Sequence, residues 1–409
     1  MTSPSLHKVP PLKLNHFMFE TDKCLGREVN GMSELSKNEM RKIAKTFVRD
    51  SMRIGERGHD AVRILYNQTD LSCEKFALMV EEECWKAGAH TLFLEYSSRR
   101  QRLKYVLSPE DSLREMSPFS EAIARRADVL IFIGEEDEPN WARGLVNKIK
   151  LTAPVREKLH EITDRRKTRW AYFGWPIPNT ARAYGCSVNR FREIFFRSIR
   201  KTFSKELSRL CEFYHDALVK KQSVRITSDD GTDLEFQIKG RPVLVDDGKI
   251  SREDMARGDV GVNIPAGEVF IAPLETSANG VILFEKVAIP GFGKLDGLKL
   301  EFRKGKVVKY HAERGTEIFT RFLQANSGEK DRIGEFGIGT NPGAAYTGGS
   351  IIIDEKIFGT VHIAIGNNLG AYHGKNKASS HLDLIKDMRR GDVFVDGEII
   401  MHKGKPKRW

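Results

Sequence analysis

The strongest constraint on this chain is a change of rhythm near residue 215. Before it, short apolar runs alternate with helix-patterned stretches. AVRILY (61–66), TLFLEY (91–96), ADVLIFIG (127–134) and WAYF (170–173) read as strands, and 73–86 and 118–126 as helices between them. That order predicts a parallel sheet with helices on both faces. A further helix is expected over 36–56, with Ser36 as N-cap and Met40, Ile43, Ala44, Phe47 and Val48 as its apolar positions. Residues 189–221 read as helical and basic-amphipathic. After them the chain is strand and turn: a hairpin around Asp229-Asp230-Gly231, then VFIAPLE, GVILFEKVAI, LKLEFRKGKVVKYHAE, SIIIDEK and TVHIAIG, and a closing hairpin in GDVFVDGEIIMHKG. The expected class is α/β: an N-terminal parallel-sheet α/β domain (1–215) followed by a β-rich α+β domain (216–409).

Composition narrows the function classes. With 40% hydrophobic and 30% charged residues the chain supports a packed core and is not disordered or collagen-like. Its apolar stretches fall far short of the ~20 residues that span a bilayer, so no membrane partner is expected. The first twenty residues hold no apolar run like a signal peptide, and a cytoplasmic location is the default. The net charge of +11 sits almost wholly in the first half, in clusters such as Arg99, Arg100, Arg102, Lys104 and Arg165, Arg166, Lys167, Arg169. With no zinc finger, aromatic RNA-binding motif or recognition helix, these read as solvated faces, and no nucleic-acid partner is expected. Cys24, Cys73, Cys84, Cys186 and Cys211 form no CxxC pair and read as reduced thiols. None follows position 211, so a metal site in the second half must use nitrogen and oxygen ligands.

The second half offers such ligands. NIPAGEVFIAP delivers Glu268 from a tight turn into an apolar strand. IGEFGIG places Glu335 among small and apolar residues. DEKIFGTVHIAIG sets His362 inside an apolar strand, and SSHLDL holds His381 and Asp383 two apart, hence on one face of an extended chain. Taken singly, each has an ordinary structural explanation. Together they are three carboxylates and two histidines in locally apolar surroundings, where an unpaired charge is costly. Metal coordination satisfies them jointly. The ligand mix suits Zn, Mn, Co or Fe(II), and five ligands exceed one tetrahedral catalytic zinc, which favours two metals bridged by a carboxylate.

These stretches, with GTDLEFQIKGRP, resemble in order and spacing the thermophilic metallo-aminopeptidase family (the aminopeptidase T/aminopeptidase S group, peptidase family M29) over roughly 225–390. The resemblance implies a dinuclear site of two divalent ions (Zn, Co, Mn or Mg) held by Glu268, Glu335, His362, His381 and Asp383, with Glu335 bridging. It implies a peptide substrate, a homodimer, and attack by a metal-bridged hydroxide on the scissile carbonyl. Glu335 or Glu355 would carry the proton to the leaving amine, and Tyr372 or His373 would stabilise the oxyanion. Members of the group carry a tyrosine seven residues after the strand histidine; here that position is Leu369 and the nearest tyrosine is Tyr372.

Two other functions fit the residues. His362, His381 and either Asp383 or Glu268 make a two-His-one-carboxylate set for Fe(II) and O₂, and ring-cleaving dihydroxypyridine dioxygenases are similar in fold to this peptidase family. A non-catalytic binding protein would use the basic first half as its partner surface.

Overall fold

The computed structural model describes residues 34–56 and 58–407. Cys24 and the stretch read above for a signal peptide lie outside them. In chain order the strands are β1 (Ala61–Asn67), β2 (His90–Tyr96), β3 (Val129–Gly134), β4 (Arg169–Gly174), β5 (Ser223–Ser228), β6 (Asp233–Gln237), β7 (Val243–Asp246), β8 (Gly261–Ile264), β9 (Glu268–Ile271), β10 (Asn279–Ile289), β11 (Gly293–Arg303), β12 (Lys306–His311), β13 (Ile333–Gly339), β14 (Thr360–Gly366), β15 (His381–Asp387), β16 (Gly391–Val395), β17 (Glu398–His402) and β18 (Lys405–Pro406).

They form three sheets. The first is parallel, in the order β2-β1-β3-β4-β8. Its inward residues Val62, Ile64, Ile131 and Phe173 share a core with Phe47 and Phe76 from the helices at Lys37–Thr46 and its continuation and at Leu71–Lys86. The second is an eight-stranded antiparallel sheet, β12-β11-β10-β6-β5-β16-β17-β18, and the third a five-stranded antiparallel sheet, β15-β14-β13-β9-β7. The second and third share one core in which Phe236 of β6 meets Phe336 of β13, ring centroids 5.4 Å apart. Each such fully buried side chain stabilises the fold by about 1.5–3 kcal/mol.

The α/β class and the sequence of strands to residue 174 agree with expectation. Four details differ. The helix expected over 36–56 is capped by Ser36, whose hydroxyl accepts from the Glu39 N–H, but its last turn, Phe47–Ser51, widens to π geometry. The helical segment at 189–221 is two helices, Val188–Thr202 and Lys205–Leu218, because the Ser204 hydroxyl accepts from the Leu207 N–H and starts a new helix. SIIIDEK is not a strand: Ile351–Asp354 is one helical turn, closed by the Asp354 carboxylate accepting from the Thr347 and Gly349 N–H groups. β8, past residue 215, supplies the fifth parallel strand. With a boundary near 215 kept as our proposal for where the second domain begins, β8 is a return of that domain into the first sheet. Among the described residues no helix is long and apolar enough to cross a membrane, and Cys73, Cys84, Cys186 and Cys211 are free thiols.

The halves are joined at the carboxyl ends of the parallel strands. β8 runs through Pro265-Ala266-Gly267 straight into β9. After β3, the buried Glu135 carboxylate accepts from the Ser350 hydroxyl at 2.8 Å. Burial pushes the Glu135 carboxyl up to about 7. A carboxyl raised on folding holds its proton where the unfolded chain has lost it, so its stabilising effect is present at acid pH and fades as pH rises through 7. Glu135→Gln should therefore gain melting temperature relative to the parent as pH rises from 5 to 8, by on the order of a few °C. A pH-independent difference in thermal melts would contradict this.

Candidate metal centre

One face of the third sheet carries every ligand candidate. Pairing registers set Glu268 opposite Gly339, Gly337 opposite His362, Ala364 opposite Asp383 and Gly366 opposite His381. On the other face Val269, Ile271, Phe336, Ile338, Val361, Ile363, Leu382 and Leu384 enter the shared core. The two-residue side-chain period makes this division. Glu335 needs one more device. Ile333 also lies in the core, two residues away, and in a regular strand the two would share a face. A bulge between Ile333 and Glu335 shifts the register and turns Glu335 to the ligand face.

The side chains converge. His362 Nε2 lies 3.0 Å from Glu335 Oε1 and 3.7 Å from Glu268 Oε2. His381 Nε2 lies 3.2 Å from Glu335 Oε2 and 3.2 Å from Asp383 Oδ1. Two triads result, Glu268–Glu335–His362 and Glu335–His381–Asp383, each with ligand atoms within 4.8 Å of one another and with Glu335 in both. His381 Nδ1 faces the Asn367 carbonyl at 2.7 Å. That contact suits a hydrogen on Nδ1 and leaves Nε2 as the donor to a metal. Asp383 Oδ1 is buried with no hydrogen-bond partner. These are carboxylate and imidazole donors aimed at shared points, and they fit divalent cations.

The electrostatics agree. Burial opposes charge on Glu335, but the hydrogen bonds and charges of His362 and His381 outweigh it and hold the carboxyl below its ordinary range. Burial likewise opposes charge on His362, and Glu335 and Glu268 overcome it, pushing the imidazole up to about 9; His381 is raised further, against burial, by Asp383 and Glu335.

The remaining expected residues are adjacent but outside the triads. Glu355 follows the 351–354 turn, is nearly buried, and accepts from Lys356 Nζ at 2.7 Å; burial pushes its carboxyl up to about 8. Tyr372 ends a short 3₁₀ turn, Gly370–Tyr372, over the ligand face, its ring centroid 6.0 Å from His381 and 5.6 Å from Phe270. Burial first, then the charges of Glu335 and Asp383, raise its hydroxyl well above the usual range. His373 does not join the site: its side chain is exposed, and its carbonyl accepts from Arg241.

Three participants escaped the sequence reading. Lys356 is fully buried, with Nζ 2.8 Å from Glu268, 2.7 Å from Glu355 and 3.5 Å from Asp246. Against the cost of burial these three carboxylates raise its ammonium well above the ordinary value. Asp246 pairs with Glu268 across β7 and β9 and is pushed up to about 7 by burial. A Cβ on Gly337 would stand 2.0 Å from His362 Nε2, so only glycine leaves room for the imidazole. Asp246 had a signal in VLVD, whose alternation puts Asp246 on the face of Leu244; Gly337 had one in the small residues of IGEFGIG.

With this geometry in view, the comparisons place the chain. It matches the family Thermophilic metalloprotease (M29) over residues 36–404 and belongs to it. It is therefore a hydrolase. Aminopeptidase T of Thermus thermophilus is 23% identical over 356 residues, covering 81% of this chain and 85% of that protein. The solved structure of wild-type AmpT from Thermus thermophilus superposes with a TM-score of 0.70 at 20% identity, over 91% of this chain and 99% of the other. The fold also matches 2,5-dihydroxypyridine dioxygenase from Pseudomonas putida KT2440, TM-score 0.62 at 16% identity over 92% and 99%.

Two variants test the packing. Gly337→Ala is expected to displace the imidazole and weaken metal binding by about 10–100-fold, read by calorimetric titration of the metal-free protein; parental affinity would overturn the steric argument. Lys356→Met removes the cation among three buried acids and should cost the metal-free protein about 3–5 kcal/mol. Denaturant unfolding with and without Zn or Mn checks this, and the deficit should shrink with metal present.

Proposed function

We propose that this chain is a metal-dependent aminopeptidase that removes N-terminal residues from peptides at a site for two divalent ions. The observation that carries the reading is the pair of donor triads sharing Glu335 on one sheet face, in a chain of a metalloprotease family. The names of its relatives, aminopeptidases all, support the exopeptidase assignment. In this reading Glu268, Glu335 and His362 hold one ion, Glu335, His381 and Asp383 hold the other, and the ions are Zn, Co, Mn or Mg. A homodimer belongs to the same proposal.

The ions, when bound, polarise the scissile carbonyl and lower the pKa of an attacking water. The chain's own residues do the rest. Glu335, held ionised, offers one oxygen to each triad. Glu355 keeps its proton near neutrality, which suits delivery to the leaving amine. Tyr372 also keeps its proton and stands beside His381, so its hydroxyl donates to the developing oxyanion. Lys356 pairs with Glu268 and donates to Glu355, holding both in place. Membership of a hydrolase family does not favour the mononuclear Fe(II) dioxygenase or the non-catalytic alternative.

The test is metal quantification on native protein with an aminoacyl-arylamide assay before and after chelation. About two equivalents of metal and chelation-sensitive cleavage are expected. His381→Ala or Glu335→Gln should cut activity by at least ~100-fold with the circular dichroism spectrum unchanged. Full activity in either variant, or in chelated protein, would remove the assignment.

A further inference from the structure

A small cavity of about 110 Å³ opens directly against the strand that carries His381 and Asp383, and both residues line it. One wall is the end of β10, with Val287, Ala288 and Pro290. The facing wall is β15 itself. Tyr346 and Ile351, from the stretch between β13 and β14, complete the lining. These two are 40% and 39% exposed, large apolar groups left open beside a polar centre. Of the charged groups at the cavity, His381 and Asp383 belong to the donor triad. Both oxygens of Asp354 are engaged, Oδ1 by the Thr347 N–H and hydroxyl and Oδ2 by the Gly349 N–H. Lys286 stands over the Tyr346 ring, its ammonium 5.8 Å from the centroid. With Asp354 engaged and Asp383 in the donor triad, no further carboxylate lines the cavity, and Lys286 disfavours a basic side chain electrostatically. The space suits a single side chain rather than a stretch of peptide.

We propose that this cavity is the side-chain subsite for the first residue of the substrate, and that it selects a branched aliphatic side chain. The proposal rests on the aminopeptidase reading above. Because the cavity shares His381 and Asp383 with the metal triads, a residue whose carbonyl lies at the metals has its side chain within reach of these walls. An apolar pocket discriminates by size and transfer free energy, which sets the scale: about 10–200-fold between side chains that fill it and those that do not.

The experiment compares kcat/KM of the metal-loaded full chain for Leu-, Val-, Gly-, Lys- and Glu-arylamides, and for the dipeptides Leu-Gly and Gly-Leu. Leu and Val should exceed Gly by about tenfold or more, with Lys and Glu below Leu. Ala288→Leu, which fills the cavity, should lower the Leu-to-Gly ratio about tenfold or more, with the bound-metal stoichiometry as the control for an intact centre. Ile351→Ala, at an exposed position that poses little risk to folding, should lower the same ratio in the same direction. Equal cleavage of Leu- and Gly-arylamide, or a ratio unmoved in both variants, overturns the subsite while leaving the aminopeptidase reading in place. Loss of Gly-Leu but not Leu-Gly cleavage in Ala288→Leu overturns the assignment to the first residue. A parent that binds metal and cleaves none of the panel overturns the aminopeptidase reading itself, and the subsite with it.

Discussion

One face of a single five-stranded sheet has to be both buried and charged, and the rest of the second half is organised around that requirement. Glu268, Glu335 and His362 are each at most 6% exposed, yet two acids and an imidazole meet there. Charged groups removed from water stay charged only when opposite charge or strong hydrogen bonds replace the solvent. The sheet supplies this replacement by geometry. Alternation sends the apolar half of every strand into the shared core and collects the acids and imidazoles on the other side, where Gly337, Ala364 and Gly366 leave the room that larger residues would fill.

Behind that face the balance is held by Lys356. A buried ammonium among Glu268, Glu355 and Asp246 fixes which oxygen of Glu268 is free: Oε1 is taken by Lys356 at 2.8 Å, and Oε2 turns toward His362. The lysine thus orients a candidate metal-binding carboxylate through an ordinary ion pair. Its charge, in a place closed to water, supports the acids behind the site without any divalent ion.

How much of this could be read in the sequence depended on contrast. Glu268, Glu335, His362, His381 and Asp383 stood out because each lies in a run of small or apolar residues, where an ionisable group needs a reason. Lys356 and Asp246 did not stand out. DEKIFG looks like a solvated turn, and only the tertiary fold shows that Lys356 is enclosed; the alternation of VLVD hinted at Asp246, but the DGK that follows reads as a turn. The parallel strands to residue 174 were legible from their alternation with helices. The fifth, GVNI (261–264), was not, since it is short and sits among strands of the other sheets. SIIIDEK was misread because its β-branched residues favour a strand, while the Asp354 carboxylate closes a turn through its own backbone neighbours. The bulge at Glu335 has no signal beyond Gly334, and without it the carboxylate shared by both triads would face the core.

The short link between β8 and β9 explains why a parallel α/β sheet accompanies this centre at all. Ile264 ends a strand of the first sheet, and Glu268, four residues on, begins a strand of the third. Between them the Ala266 N–H donates to the Thr202 hydroxyl, the Ala266 carbonyl accepts from Asn341 Nδ2, and the Gly267 carbonyl accepts from the Thr340 N–H. Gly267 adopts a φ of +132°, and a Cβ there would meet Asn341 at 2.7 Å, so a side chain is excluded both by conformation and by contact. The turn is therefore clamped by the helix ending at Thr202 on one side and by the segment after β13 on the other. A carboxylate reached through so few residues from a rigid strand inherits that strand's position. The first sheet thereby acts as the anchor for Glu268, while β13, β14 and β15 supply the remaining donors through their pairing. Precision at the centre comes from two sheets meeting at one fixed turn: the third sheet carries all five groups, and the first fixes where its β9 begins.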